Sequence, residues 1–595
     1  SDLSIMKKIT LVLWLFLFVS GLSAQKLVIL STTDLHSKLT GFGPENAYTP
    51  LSLNDDETLG GFARIASIIN KEKKQNPDAL LILDAGDFLM GTIFHADEAA
   101  SGFQLRLMHD MGYEALTIGN HEFDYGPKVL ADIISTANEK GDIPQLLASQ
   151  MQFHSESPET EGLEKLFRQG LIKPYTLLEK QGLKIGIFGL IGEGAVSVAP
   201  DSKPVIFTDQ YKTAEQMTAL LKNTMGADIV ICLSHSGLIL DEDGNFRGED
   251  YTLAEKVPEI DIILSGHTHL LTQKPVKVGN TLIVQSGSYG KHVARLSFEY
   301  RDSRIVNPEL KMIPVNDEIP ADKAVHDKIE AYKAHVNRLF FKPFGLEYSQ
   351  AVAHADFDLQ RSTEENKIHG NLGPFTADAI KYYTDKYARK TDVAIIANGT
   401  IREHILKGEV TPADVFRVLP LGSGGDDIPG NSLAMIYITP RELKKLAEVI
   451  IMSNTPGTDS YLYVSGMDVF YNPKKMMLRK VQRIELNGEA LDISKSNKNL
   501  VSMTADTYLL KFVSRIKQMS KGLVKIVPKD ENGEPVEDIY RQVLDFDKNK
   551  AGLQEGKQWL SVIEYMKSFP KSGDLPEIPE KYREEFTRLH PIKKQ

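Results

Sequence analysis

Short, nearly unbroken apolar runs recur along the first half of the chain: KLVIL (26–30), ALLILDAGD (79–87), EALTIGNHE (114–122), LKIGIFGLIG (183–192), ADIVICLSHSG (227–237), IDIILSGHTH (260–269) and NTLIVQSGSYG (280–290). A strand with one wet face alternates apolar and polar residues, so a continuous run predicts a strand buried on both faces. Amphipathic stretches such as LGGFARIASIINKEKK (59–74) separate some of the runs and predict helices. Together these patterns predict a layered α/β domain.

A charged stretch, ADKAVHDKIEAYKAHVNRLF (321–340), predicts a connecting helix. The second half carries its own strands, DVAIIANGT (392–400), LAMIYIT (433–439) and RIELNGEAL (483–491), and helices, RELKKLAEVIIM (441–452) and KQWLSVIEYMKS (557–568). Residues 527–540, polar and proline-bearing, read as a loop, and no internal repeat or low-complexity segment is visible. At 595 residues the chain exceeds one core, which agrees with two domains. The expected division is an N-terminal signal over 1–24, a first domain over 25–318, a linker over 319–345 and a second domain over 346–595.

Five of the predicted strands run directly into polar clusters: Asp34/His36, Asp87, Asn120/His121, His235 and His267/His269. An aspartate and a histidine two apart on an extended chain project to one face, so Asp34 and His36 offer a carboxylate and an imidazole together. Ligands gather at the carboxyl ends of strands in layered α/β sheets, so clusters far apart in sequence can converge.

Composition adds an address and some exclusions. With 42% hydrophobic and 25% charged residues the chain is an ordinary globular protein, and its formal charge of −11 argues against binding a nucleic-acid polymer. Lys7 and Lys8 precede an apolar stretch from Ile9 to Val19, and the small residues of SGLSA follow. That is the pattern of a secretory signal cleaved after Ala24. It is too short for a membrane span, so an exported protein, periplasmic or at the cell surface, is expected to begin near Gln25. The five residues before Met6 read as an upstream extension. The single cysteine, Cys232, sits in an apolar run, which excludes an intrachain disulfide and predicts a buried, inert thiol.

TTDLHSKL (32–39), LDAGDFLMGT (83–92), GNHEFDYG (119–126), LSHSG (233–237) and SGHTH (265–269), in that order, resemble the five motifs of the calcineurin-like metallophosphatases. NGTIREHILKGEVTPADVFRVLPLG (398–422) resembles part of the C-terminal domain of secreted 5′-nucleotidases and 2′,3′-cyclic-nucleotide phosphodiesterases. The resemblance implies a four-layer αββα metallophosphatase domain followed by an α/β 5′-nucleotidase-type domain. It implies two divalent ions (Mn, Zn, Fe, Co or Mg): Asp34, His36 and His269 would hold one, Asn120, His235 and His267 the other, and Asp87 would bridge them. Hard anionic oxygen, imidazole and neutral amide suit such a pair. His121 and Asp124 would form a catalytic dyad, in which Asp124 orients the ring and His121 assists the leaving group.

The implied reaction is hydrolysis of phosphate monoesters, above all nucleoside 5′-monophosphates, by water activated at the ions, with no covalent phosphoenzyme. The second domain would present the substrate through Arg402, Asn398, Arg361, Leu421 and Tyr508, a guanidinium fork being suited to phosphate. Two departures from the family stand out. Leu421 replaces the phenylalanine that stacks on the base, and DTYLLKF, around Tyr508, replaces a glycine-rich segment. Tyr461, Tyr463 or Phe470 could supply the missing aromatic wall, although aromatics near apolar runs are more often core. Two alternatives stay open: a 2′,3′-cyclic-nucleotide phosphodiesterase/3′-nucleotidase or other exported phosphatase, and a surface metal- or nucleotide-binding protein without turnover.

Overall fold

The computed structural model describes residues 24–153, 157–363, 366–453, 455–458, 460–519 and 524–592. Residues 1–23, which carry the predicted export signal, lie outside the described residues. The chain divides into two compact units. One comprises the described residues up to Phe42 together with Pro50–Met90 and Glu98–Lys328; the other comprises Gly43–Thr49, Gly91–Asp97 and the chain from Ile329 onward.

The strands of the two large sheets of the first unit are β1 (Gln25–Thr32), β2 (Leu80–Asp84), β3 (Ala115–Thr117), β4 (Gln145–Leu147), β5 (Ile172–Lys173), β6 (Tyr175–Lys180), β7 (Leu183–Ile191), β8 (Ile229–His235), β9 (Ile262–Ser265), β10 (Val276–Val278), β11 (Thr281–Gln285), β12 (His292–Arg301) and β13 (Arg304–Pro314). All seven predicted strands are among them. They form two sheets, in the orders β13-β12-β1-β2-β3-β4-β5 and β10-β11-β9-β8-β7-β6. Strands β1 to β5 run parallel in the first sheet, and β7, β8, β9 and β11 run parallel in the second.

Alternation explains the continuous apolar runs. Leu27, Ile29, Leu81 and Leu83 of one sheet share a buried core with Ile185, Ile187, Ile231 and Leu264 of the other. The intervening residues of the second sheet, among them Phe188, Val230, Cys232 and Ile263, face outward onto Ala214 of α2 (Gln210–Ala219) and Leu253 and Ala254 of α3 (Glu249–Lys256). Helix α1 (Phe62–Gln75) buries Phe62, Ile65, Ile68 and Ile69 and packs against β2 of the first sheet. The result is the expected αββα layering. Burial pushes the Cys232 thiol well up, in line with an inert side chain.

The predicted connecting helix is α4 (Lys323–Val336). The second unit then builds a sheet in the order β15 (Leu433–Ile438), β19 (Val501–Asp506), β14 (Val393–Ala397), β16 (Leu462–Ser465), with β14 and β19 parallel. A second sheet pairs β17 (Met467–Tyr471) with β18 (Val481–Leu486) and with β20 (Leu589–Pro591). The charged stretch 571–592 is thereby tied to the unit: Arg588 reaches Asp378 at 2.7 Å, and Tyr582 is fully buried. Besides α5 (Leu372–Tyr387), two helices of this unit start from a Thr-Pro pair, α6 (Pro412–Val418) and α7 (Pro440–Met452). In each, the threonine and a carboxylate three residues on close a capping box while proline occupies the first turn. Helices α8 (Thr507–Met519) and α9 (Gln558–Lys567) complete the unit.

Arg417 of α6 is buried in this second unit among Asp414, the Glu45 carboxylate at 3.0 Å and the Gly43 carbonyl at 2.6 Å. The Glu45 amide donates to Asp414 at 2.9 Å, so an ion cluster anchors the segment Gly43–Thr49. Removing one member of a buried ion cluster leaves the others uncompensated, at a cost of about 3–5 kcal/mol. Arg417→Ala should therefore destabilise the protein by that amount in urea unfolding; a loss under about 1 kcal/mol would show that the cluster contributes little.

Candidate metal centre

In each sheet of the first unit the parallel strands deliver their carboxyl ends to one edge. Thr32 ends β1, and Asp34 and His36 follow; Asp84 ends β2 before Asp87; Thr117 ends β3 before Asn120 and His121. In the second sheet His235 is itself the last residue of β8, and Ser265 ends β9 before His267 and His269. The turns are tight. Asp34, His36, Asp87, His267 and His269 all have positive φ, between 49° and 77°, a region non-glycine residues rarely occupy. Such strain, of order 1–3 kcal/mol per residue, persists where the surroundings over-determine it and clusters at functional sites. Gly119 marks the closest approach, because a Cβ there would lie 2.2 Å from Asp87 Oδ1.

The seven predicted ligands come together. Ligand atoms of Asp34, His36 and His269 lie within 4.8 Å of one another, as do those of Asp34, Asp87 and His235. On one side His36 Nε2 is 3.2 Å from His269 Nε2, which is 3.5 Å from Asp34 Oδ1. On the other, His235 Nε2 and His267 Nδ1 are 3.2 and 3.1 Å from Asn120 Oδ1. Asp87 stands between them, its Oδ2 3.1 Å from His235 Nε2 and 4.0 Å from His36 Nε2. Backbone carbonyls orient the rings: His235 Nδ1 lies 2.8 Å from the Ala85 oxygen and His36 Nδ1 3.2 Å from that of Met90, which turns each Nε2 towards the cluster, where a cation would take the place of its proton.

Electrostatics support the same assignment. Burial pushes the Asp87 carboxyl up, but His235, His121 and His36 outweigh it and hold it well below the usual range. The converse applies to His235, which burial lowers and Asp87 raises further, to about 10. Asp34 is pushed up to about 7, mainly by burial. A buried carboxylate pair thus stands among imidazoles, a donor set that fits divalent cations, since each would replace protons as the countercharge.

His121 and Asp124 are also in contact, with Nδ1 and Oδ2 2.6 Å apart. The His121 amide donates to Asp87 Oδ1 at 2.8 Å, and its ring packs edge-on against that of His36, with centroids 5.1 Å apart. Several residues were not singled out from the sequence. The buried carboxylate of Glu122 accepts from the amides of Asp87, Leu89 and Gly119 at 3.0, 2.9 and 2.6 Å, tying two ligand loops together. Asp84 ties β1 to the next loop, accepting from Thr32 Oγ1 at 2.6 Å and the Gly86 amide at 3.0 Å. Tyr289 packs on the rings of His36 and His269, with centroids 5.5 and 5.3 Å away. Glu122 lies inside GNHE and Tyr289 ends the last apolar run, so position relative to a strand end was the available signal.

The predicted substrate contacts lie on loops of the second unit that hydrogen bonds join in pairs. Arg361 Nη1 donates to the Arg402 carbonyl at 3.2 Å, and the Arg402 amide to that of Val418 at 2.8 Å. Further backbone bonds join Asn431 to Leu421 and Thr507, next to Tyr508, to Ser432. Asn398 and Tyr508 follow the ends of the parallel strands β14 and β19. The Asn398 side chain is buried and donates to the carbonyls of Ser362 and Thr458 at 2.9 and 3.2 Å. Tyr461 and Tyr463 are core residues whose hydroxyls reach His369. Phe470 stacks between His590 and the Arg483 guanidinium.

Two packed sheets whose parallel strands end on imidazoles, carboxylates and an amide make a metal-dependent hydrolase. Residues 27–271 match the calcineurin-like phosphoesterase family, and residues 351–501 match the 5′-nucleotidase C-terminal domain. The chain thus carries a calcineurin-like phosphoesterase domain and a 5′-nucleotidase C-terminal domain, and it is a metal-dependent phosphoester hydrolase of the 5′-nucleotidase type. It is similar to a trifunctional nucleotide phosphoesterase, YfkN, of Bacillus subtilis, at 26% identity over 77% of this chain and 31% of the relative, so it spans about a third of that protein. A 5′-nucleotidase of Mus musculus is 25% identical over 80% of this chain and 81% of the relative. The fold is shared with a 5′-nucleotidase precursor from Thermus thermophilus, with a TM-score of 0.66 at 21% identity, over 96% of this chain and 100% of the other.

The position of Asp87 leads to a prediction about metal retention. Asp87→Ala should lose both ions more readily than His269→Ala loses one, as measured by elemental analysis after dialysis. An Asp87→Ala protein that keeps two ions would contradict a bridging role.

Proposed function

We propose that this protein is an exported, dinuclear phosphomonoesterase that hydrolyses nucleoside 5′-monophosphates to nucleoside and phosphate. The observation that carries the reading is the convergence of seven ligand-type residues and His121 at one edge of two sheets. The nucleotide-directed names of the similar proteins support the substrate class. Export rests on the signal pattern of residues 7–24, and among the described residues no helix is long and apolar enough to cross a membrane.

Asp34, His36 and His269 would hold one ion, Asn120, His235 and His267 the other, with Asp87 between them. Bound there, divalent ions supply positive charge for the phosphoryl oxygens and make water a better nucleophile. Asp124 accepts from the Nδ1–H of His121 and orients the ring, and His121 donates a hydrogen bond to the phosphoryl group and a proton towards the departing oxygen. Arg402 and Arg361 would bind the anionic substrate through charge-assisted hydrogen bonds.

His121→Ala should retain both ions and lose about 10²–10⁴-fold in turnover, with Asp124→Asn losing less. Normal phosphate release by metal-loaded His121→Ala would contradict the dyad. Because Leu421 stands where a stacking aromatic is expected and Tyr461 and Tyr463 belong to the core, base selectivity should be weak. AMP and UMP should then be cleaved with kcat/KM values within about tenfold, since one stacked base is worth about 1–3 kcal/mol. A preference for AMP beyond about a hundredfold would reveal an intact base clamp. Exclusive cleavage of 2′,3′-cyclic AMP in the same assay would replace the monoesterase reading with a diesterase.

A further inference from the structure

Behind the loops that carry His235 and His267 lies a buried polar cluster that is no part of the proposed ligand set. Asp250, in the first turn of α3, has no solvent exposure, and its carboxylate accepts from Ser234 Oγ at 2.5 Å, Ser265 Oγ at 2.5 Å and the Gly237 amide at 2.9 Å. Ser234 immediately precedes His235 on β8, and Ser265 ends β9 two residues before His267. The parallel register sets Ser234 directly opposite Ser265, so one carboxylate spans two strand ends at the point where each turns into a ligand.

The tolerances there are small. A Cβ on Gly266, the residue after β9, would lie 2.4 Å from Thr33 Oγ1 and 2.9 Å from His235 Nδ1, so the backbone passes too close to its neighbours there for any side chain. Beyond the apolar packing of β8 and β9, hydrogen bonds from side chains also join the two ends. Gln285 of β11 supports the far side, donating to the Gly266 carbonyl at 3.2 Å and to Thr268 Oγ1 at 2.9 Å. A buried carboxylate accepting three hydrogen bonds holds its partners firmly; losing it removes the Gly237 amide's acceptor and leaves the hydroxyls of Ser234 and Ser265 to turn to Ser236 Oγ at 2.9 Å and Gln285 Oε1 at 3.3 Å, which do not join the two strands to α3.

We propose that Asp250 is the positioning residue for the His235/His267 half of the metal centre, setting the spacing of the two strand ends that carry those imidazoles. This rests on the dinuclear reading above. Groups that orient metal ligands from behind typically change metal affinity by 10–100-fold when removed.

The test titrates metal-free protein with Mn²⁺, following free ion by electron paramagnetic resonance and heat by calorimetry, with urea unfolding of each metal-free variant alongside. Wild type should take two ions. Asp250→Ala should keep one at wild-type affinity and bind the other about 10–100-fold more weakly, and Ser265→Ala should weaken the same ion by less. Adding His269→Ala to Asp250→Ala should then weaken the remaining tight ion, which identifies the sensitive site as the one held by His235 and His267. A folded Asp250→Ala with two wild-type affinities, or one in which both ions weaken equally, overturns the proposal. Should Asp250→Ala fail to fold, unchanged affinities in Ser265→Ala overturn it equally. A wild-type protein that takes only one ion contradicts the dinuclear reading itself, and is recognised before any substitution is made.

Discussion

A carboxylate taken out of water needs positive charge beside it, and the first unit is organised around that need at Asp87. Only 1% of this residue is exposed, and an unpaired charge so placed would be neutralised or would destabilise the fold. His235 at 3.1 Å supplies the nearest compensation, from a strand of the opposite sheet. Holding both residues requires two sheets to end on one edge, turns that accept left-handed backbone at five ligand positions, and glycine where Asp87 presses closest. Electrostatic demand and backbone strain therefore meet at the same residues. The chemistry proposed for the site follows from that meeting, because a divalent cation satisfies the carboxylates and imidazoles together.

The strain is contained by groups that need not touch a ligand side chain. Glu122 gathers amides from two ligand loops, Asp84 joins β1 to the loop after β2, and Asp250 joins β8 to β9. Each pair of neighbouring loops is thus tied by one buried carboxylate that is itself hydrogen-bonded, the condition under which burial of such a group is tolerated. The second unit uses the same device for a different end: Arg417, Glu45 and Asp414 fix a segment of the first half of the chain onto it.

Much of this was legible in the sequence, for a physical reason. Strands buried on both faces must be apolar throughout, so runs such as LKIGIFGLIG announce themselves, and several polar clusters at the ends of such runs point to one shared site. What stayed hidden depends on long-range pairing. Glu45 meets Arg417 across 372 positions, and neither residue lies in a pattern that suggests the other. The tail reads as a charged, proline-bearing stretch, yet β20 supplies a strand partner for β17. Asp250 gave no signal because its partners are serine hydroxyls on strands that periodicity locates but does not align. Asn398 was read as a pocket residue from its motif, and its buried amide serves two backbone carbonyls.

The proposal that one edge of the first unit holds two divalent ions with Asp87 between them is tested most directly by anomalous scattering from crystals grown with Mn²⁺. Two peaks about 3.5–4 Å apart are expected, one against His36 and His269, the other against His235 and His267, with the Asp87 carboxylate touching both. A single peak, or two peaks that leave Asp87 uncoordinated, would contradict it.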